Sequence, residues 1–174
     1  LLTISSPVAD TVLTSGAVRL DYTSSESASV TVLWDGQGGS SESGSIVQLV
    51  DGNHTLMMIA TDNAGNTSNT TLSFPIDSTP PHIQILSPVA GSAISDESPV
   101  LWVVADEDGT GSLEVNGVTL GSVTFAAGVE QSFALGTLID GSYDVVVSAT
   151  DVYGNEGVLT ASFTVNGEAP SVAV

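Results

Sequence analysis

The chain has 174 residues, 41% hydrophobic and 5% aromatic, with twenty acids against one base, Arg19, for a formal charge of −19. That charge repels nucleic acid and anionic membranes at long range, so phosphate-backbone binding is excluded as a role. Self-repulsion must be relieved by salt or bound cations, whereas a positive mean hydropathy of +0.32 speaks against wholesale disorder. The acid excess reads as a soluble surface in a saline or extracellular setting. Cysteine is absent, which fits a surface protein that folds without disulfide staples. No apolar run is long enough to span a bilayer, and no signal peptide is evident.

Apolar residues recur with a period of two, β-branched residues abound, and Gly, Ser, Asn, Asp and Pro punctuate at short intervals. Nothing reads as a helix. In a first unit, strands are expected at residues 2–6, 17–23, 29–34, 45–50, 54–61 and 67–76, with a poorly marked one in the Ser/Gly-rich stretch 37–44. In a second they are expected at 82–86, 99–105, 112–115, 118–125, 130–135, 142–150 and 159–165. About seven short strands per unit is the pattern of an Ig-like β-sandwich. The fold class expected is all-β, two tandem sandwiches covering 1–77 and 78–167. Residues 168–174 then begin a third repeat or form a terminal strand.

An internal repeat supports this division. Residues 51–85 (DGNHTLMMIATDNAGNTSNTTLSFPIDSTPPHIQI) and 140–174 (DGSYDVVVSATDVYGNEGVLTASFTVNGEAPSVAV) align without a gap. A second echo joins TISSPVA at 3–9 to QILSPVA at 84–90. A spacing in the eighties suits one small domain per repeat. Between the units, Asp77-Ser78-Thr79-Pro80-Pro81 makes a short, stiff joint, because two prolines fix φ and bias the preceding residue to extended backbone. The chain begins inside a strand pattern and ends on the start of another repeat, so both ends read as cut from something longer.

Local chemistry explains most of the conspicuous residues. The Asp-x-x-Gly-Asn turns at 62–66 and 151–155 join the last two strands of each unit. There Asp bonds backbone two residues on and Gly supplies positive φ, so no catalytic role is needed. Tyr143 sits where Ig-type sandwiches carry a corner tyrosine, and His54 takes that place in the first unit, bonded to backbone. Trp34 and Trp102 are expected as core pins on different strands. Asn53, Asn66 and Asn69 each open an Asn-x-Ser/Thr sequon, which a Ser/Thr-rich chain also produces by chance. No Ser-His-Asp set, carboxylate pair, His cluster or phosphate loop can be assembled, so the chain is expected to have no catalytic residues.

The repeated pattern DG-x-(Y/H)…ATD-x-x-GN…F-x-(I/V)-D-x-T-x-P resembles the bacterial Ig-like repeats strung along large surface adhesins and other cell-surface proteins. The resemblance implies a non-catalytic spacer, extracellular or at the cell surface, whose partners are neighbouring Ig-like repeats. It also implies calcium at the joints between domains, with the family's acidic linker residue corresponding to Asp77. Sandwich geometry brings Asp77 to the pole carrying Asp106, Glu107 and Asp108 and the turn at Asp151, with Asp10 and Asp51 able to approach. The expected metal ligands are therefore Asp77, Asp106, Asp108 and Asp151, since calcium takes six to eight oxygens in loose geometry. The next joint is altered, with Asn166 and Glu168, and the first unit offers only Glu26. Two other readings stay open. In one, residues 170–174 add as a strand to the next molecule of a filament. In the other, the chain is a carbohydrate- or protein-binding module, for which Tyr153 is the one tyrosine expected to face solvent, Tyr22 and Tyr143 being the others.

Overall fold

The computed structural model describes residues 1–168 and is all-β over that span. Contacts divide it into two compact units, one of residues 1–79 and one beginning at Pro80.

Unit 1 contains β1 (Leu2–Ser6), β2 (Ala17–Arg19), β3 (Asp21–Ser24), β4 (Ala28–Trp34), β5 (Gln37–Gly38), β6 (Ile46–Gln48), β7 (Gly52–Asp62) and β8 (Thr67–Ile76). Strands β5, β4, β7 and β8 form one antiparallel sheet in that order, while β2 pairs with β6 and β1 with β3. The period of two sets which side chains enter the core. His54, Leu56, Met58 and Ala60 point inward from β7, Val32 and Trp34 from β4, and Phe74 and Ile76 from β8. Leu56 and Met58 are fully enclosed, each contributing about 1.5–3 kcal/mol of burial. Trp34 meets Phe74 edge-on, with centroids 6.4 Å apart and planes at 89°, an arrangement that favours the ring quadrupoles.

The strand expected at 17–23 is broken. The Leu20 amide donates to the Ser45 carbonyl and its own carbonyl accepts from Gly44. The Ser43 hydroxyl also accepts the Tyr22 amide. The Ser/Gly stretch thus replaces a regular ladder at Leu20, and the two halves pair with different neighbours. For the same reason the stretch 37–44 yields only the two-residue β5.

Unit 2 contains β9 (Ile83–Ser87), β10 (Ala93–Ile94), β11 (Val100–Ala105), β12 (Gly109–Val115), β13 (Val118–Phe125), β14 (Gln131–Ala134), β15 (Gly141–Asp151) and β16 (Glu156–Val165). One sheet runs β10-β16-β15-β12-β13 and the other β14-β11-β9. Their inner faces share one core, built largely from Leu101, Val103, Leu113, Phe125, Val145, Val147 and Phe163. At Gly111 the backbones pass so closely that an added Cβ would stand 1.8 Å from the Ser148 carbonyl oxygen. Only glycine fits there. The short β10 was not expected. It pairs parallel with β16 through Ala93 and Ile94, too brief a segment to leave a periodic signal.

Trp102 corrects an expectation. Trp34 is a core residue at 5% exposure, but Trp102 is 40% exposed. Leu101, Val103 and Ala105 are the inward residues of β11, which obliges Trp102 to point outward. Phe125 and Phe163 supply the large aromatic volume that Trp102 was expected to contribute.

Candidate functional site

The features able to define a site lie where each chain segment crosses between sheets and where it leaves the unit. Tight turns prepare them. Asp35-Gly36, joining β4 to β5, and Asn116-Gly117, joining β12 to β13, have φ of 49° and 76°, and 48° and 75°. These values mark the primed turn that matches strand twist. Each turn's Asx side chain then reaches into the adjacent corner. Asp35 Oδ1 accepts the Thr55 amide at 2.7 Å, and Asn116 Oδ1 accepts the Asp144 amide at 2.8 Å.

The residue preceding that amide is the corner ring. Tyr143 donates its hydroxyl to the Ile139 carbonyl at 2.8 Å and stacks on Phe163 at 5.6 Å, as the corner reading expects. His54 does the same work in unit 1. Its Nε2 lies 2.7 Å from the Val50 carbonyl and its ring 5.9 Å from Phe74. Its Nδ1 also lies 2.7 Å from Asp35 Oδ2. Both nitrogens face acceptors, and a neutral imidazole has only one N–H. The geometry therefore selects the imidazolium. Burial works against that charge, but the bonds to Asp35 and Val50 and the Asp35 charge prevail, raising the pKa above 6.5. Asp35 is correspondingly lowered, first by its bond to His54 and then by the Thr55 amide.

The Asp of each Asp-Gly pair holds the departing chain. Asp51 Oδ1 accepts the Ser78 amide at 3.0 Å and the Ser78 hydroxyl at 2.6 Å, and Oδ2 accepts the Thr79 hydroxyl. Asp140 Oδ1 accepts the Gly167 amide at 2.7 Å. These acids occupy matching repeat positions, and each clamps backbone just after the last strand of its own unit. The bonds from Ser78 and then Thr79 lower the Asp51 pKa. The clamp is accordingly kept above the ordinary carboxylate range and lost as pH falls through the lowered value. We expect Asp51→Ala to accelerate amide exchange at Ser78 while leaving the Phe74 region of β8 protected. Unchanged exchange at Ser78 in that variant would contradict the clamp.

The four acids expected as metal ligands have identifiable places. The Asp77 amide donates to the Leu13 carbonyl at 2.9 Å, at the end of unit 1. In unit 2, Asp106 Oδ1 accepts the His82 amide at 2.6 Å, and Asp108 Oδ1 accepts the Ala127 amide at 2.7 Å. Asp151 is 8% exposed. Its Oδ1 accepts the Tyr153 and Asn155 amides, and Oδ2 accepts Asn155 Nδ2. Asp108 and Asp151 share the lining of one open, mainly apolar depression, whereas Asp106 lines another with His82 and Gln84. Among the described residues of unit 2, no group of three His, Asp or Glu side chains gathers as a metal site. Asp106 and Asp108 suit a ligand role, since Oδ2 of each lies outside those bonds. Asp151 suits it poorly, because both of its oxygens already hold its turn.

Asp62 repeats this turn in unit 1, accepting the Ala64 and Asn66 amides and Asn66 Nδ2 at 2.8 Å each. The Asn66 sequon amide is thereby engaged, while Asn53 and Asn69 are exposed on their strands. Tyr153 is 46% exposed, as expected. Sequence reasoning missed the Asp35–His54 pair and both exit clamps. The only signal for the clamps was the recurrence of Asp-Gly itself.

Paired sheets, corner rings and tight Asx turns define an all-β protein of the Ig-like sandwich class. Residues 45–122 match the family model of the bacterial Ig-like domain (group 3). It is 32% identical over 108 residues to Halomucin of Haloquadratum walsbyi (strain DSM 16790 / HBSQ001), a match covering 62% of this chain and 1% of that protein. The chain thus spans about a hundredth of that relative's length. Among solved structures it is similar to the fibronectin(III)-like modules of Clostridium thermocellum CbhA, at 16% identity and a TM-score of 0.44 over all of both chains. It is also similar to the D00-D0 domain of Intimin, at 15% identity and a TM-score of 0.43 over 95% of this chain and 100% of that one.

Proposed function

We propose that the chain is a non-catalytic spacer of an extracellular or cell-surface protein, two links in a longer series. The observation that carries this reading is the repeated exit clamp. In both units an Asp at the sheet crossing holds the backbone where it leaves the last strand, and a Pro-Pro pair follows the first of them. A module whose departing segment is tied to its own body can hand a defined direction to the next one. The family match at residues 45–122 and the acid-rich composition agree with an exposed, repetitive role.

Within this proposal calcium stiffens the joint, with Asp77, Asp106 and Asp108 as donors. Calcium binding only the assembled joint would stabilise it by mass action. Thermal melting in calcium, in chelator and as Asp77→Ala tests the idea: calcium should raise the melting temperature of the parent and not of the variant. Identical profiles in all three remove calcium from the account. The filament reading has one observation in its favour. Edge strand β13 is eight residues long and carries neither charge nor proline, two of the devices that block strand addition, although a bulge at Leu120 interrupts its ladder. Its expected donor, 170–174, lies outside the described residues. Sedimentation of the same samples separates the readings, because the spacer stays monomeric and a filament subunit forms concentration-dependent polymers.

A further inference from the structure

The outward position of Trp102 opens a question that the spacer role does not answer. An indole on the outer face of a sheet contributes nothing to the core. In β11 it stands in register with Ser132 of β14 on one side and Ser87 of β9 on the other. A bulge in β9 leaves Leu86 unpaired beside it. Leu86, Val100 and Trp102 are 38%, 39% and 40% exposed. Leu86, Ser87, Val100, Ser132 and Ala134 around Trp102 carry no charge in a chain with twenty acids, and Glu130, just before β14, is the acid nearest in register.

Two residues further along β11, about 7 Å by strand rise, Val104 forms part of a shallow cavity of about 170 Å³. Its polar lining includes His82, Gln84 and Asp106. The arrangement is an aromatic platform flanked by hydroxyls and leading to amide and carboxylate groups. It has an apolar contact surface and a few polar groups to fix orientation, as small-molecule sites do.

We propose that this outer face of the β14-β11-β9 sheet binds a neutral polysaccharide, with one pyranose ring stacked on Trp102. A pyranose presents a face of C–H groups with partial positive charge, which matches the negative face of the indole. Its equatorial hydroxyls point sideways, toward Ser87 and Ser132. A following residue along β11 meets Gln84, whose amide both donates to and accepts from hydroxyls, and Asp106, whose carboxylate accepts from them. An anionic glycan finds no cation on this face, and Asp106 repels it at the rim. A protein ligand would cover Leu86, Val100 and Trp102 equally, but it would leave the hydroxyl flank and the Gln84 and Asp106 groups beside it unexplained.

Affinity electrophoresis in soluble β-glucan, galactomannan and xyloglucan, with alginate as the anionic control, tests the proposal. The whole chain should be retarded by at least one neutral polymer and not by alginate. Trp102→Ala should weaken that retardation about tenfold or more, as expected for an aromatic anchor, and Trp102→Phe should keep part of it. Gln84→Ala, remote from the core, should weaken it less and provides a second reading. Near-ultraviolet circular dichroism of each variant checks that the sandwich is intact. Retardation by none of the neutral polymers overturns the proposal, as does binding that Trp102→Ala leaves unchanged. Equal binding to alginate overturns it too. So does a Trp102→Ala variant whose main effect is to abolish self-association, since the face would then belong to a protein contact.

Discussion

Replacing Asp151 with alanine should lower the stability of unit 2 by about 3 kcal/mol, equally in calcium and in chelator. The argument rests on the three donors that the carboxylate satisfies: the Tyr153 and Asn155 amides and Asn155 Nδ2. Hydrogen bonds to a charged acceptor are the stronger kind, and removing this one leaves donors of a closed turn without partners. Burial opposes the charge on Asp151, but the bonds from Asn155 and Tyr153 outweigh it and hold the pKa below 3.8. The contribution is therefore complete above pH 3.8 and disappears as pH falls through the lowered native value. Asp62→Ala should act in the same direction on unit 1 and less strongly, because Asp62 is more open to water. Hydrogen exchange resolved by unit would measure both. An Asp151→Ala penalty that appears only with calcium present would instead make this residue a metal ligand.

The second large effect is a loss of unit 1 stability on the alkaline side. His54 is charged when both of its nitrogens donate, one to Asp35 and one to the Val50 carbonyl. Its native pKa is raised above 6.5 and that of Asp35 is lowered below 3.8. The pair's stabilisation is complete between those unfolded values. It fades as pH rises through the raised His54 value, and at the acid end as pH falls through the lowered Asp35 value. Above the His54 transition, one ring nitrogen presents a lone pair to an oxygen, costing about 1–3 kcal/mol. Trp34 packs against Phe74, which also contacts His54, so Trp34 fluorescence during denaturation, read in a Trp102→Phe background, follows this unit. The double variant Asp35→Asn, His54→Tyr reproduces the neutral arrangement of Asn116 and Tyr143. It should remove the alkaline decline. A decline that persists in the double variant would assign it to other groups.

The sequence carried the architecture well because alternation, turn residues and the repeat all point the same way. The strand at 67–76 and the hairpin strand at 118–125 have the expected bounds. The all-β Ig-like reading holds, and so do the corner roles of His54 and Tyr143. The phase of β11 was not legible. In VLWVVA both alternating sets are apolar, so periodicity names the strand without saying which face is inside. Size favours burying Trp102, but Phe125 and Phe163, from distant strands, already fill that space. The break at Leu20 depends on bonds to Gly44 and Ser45, and the His54 partner lies on a turn nineteen positions away. Pairings of that kind arise from tertiary approach and leave no local pattern.

The clamps at Asp51 and Asp140 have a consequence for how such chains change over generations. Each lies wholly within the module it serves, so a duplicated gene segment brings its own outlet geometry with it. Copies can then be inserted or deleted by recombination without compensating substitutions in the neighbours. Array length becomes adjustable independently of fold, in keeping with the near-additive energetics of repeat proteins.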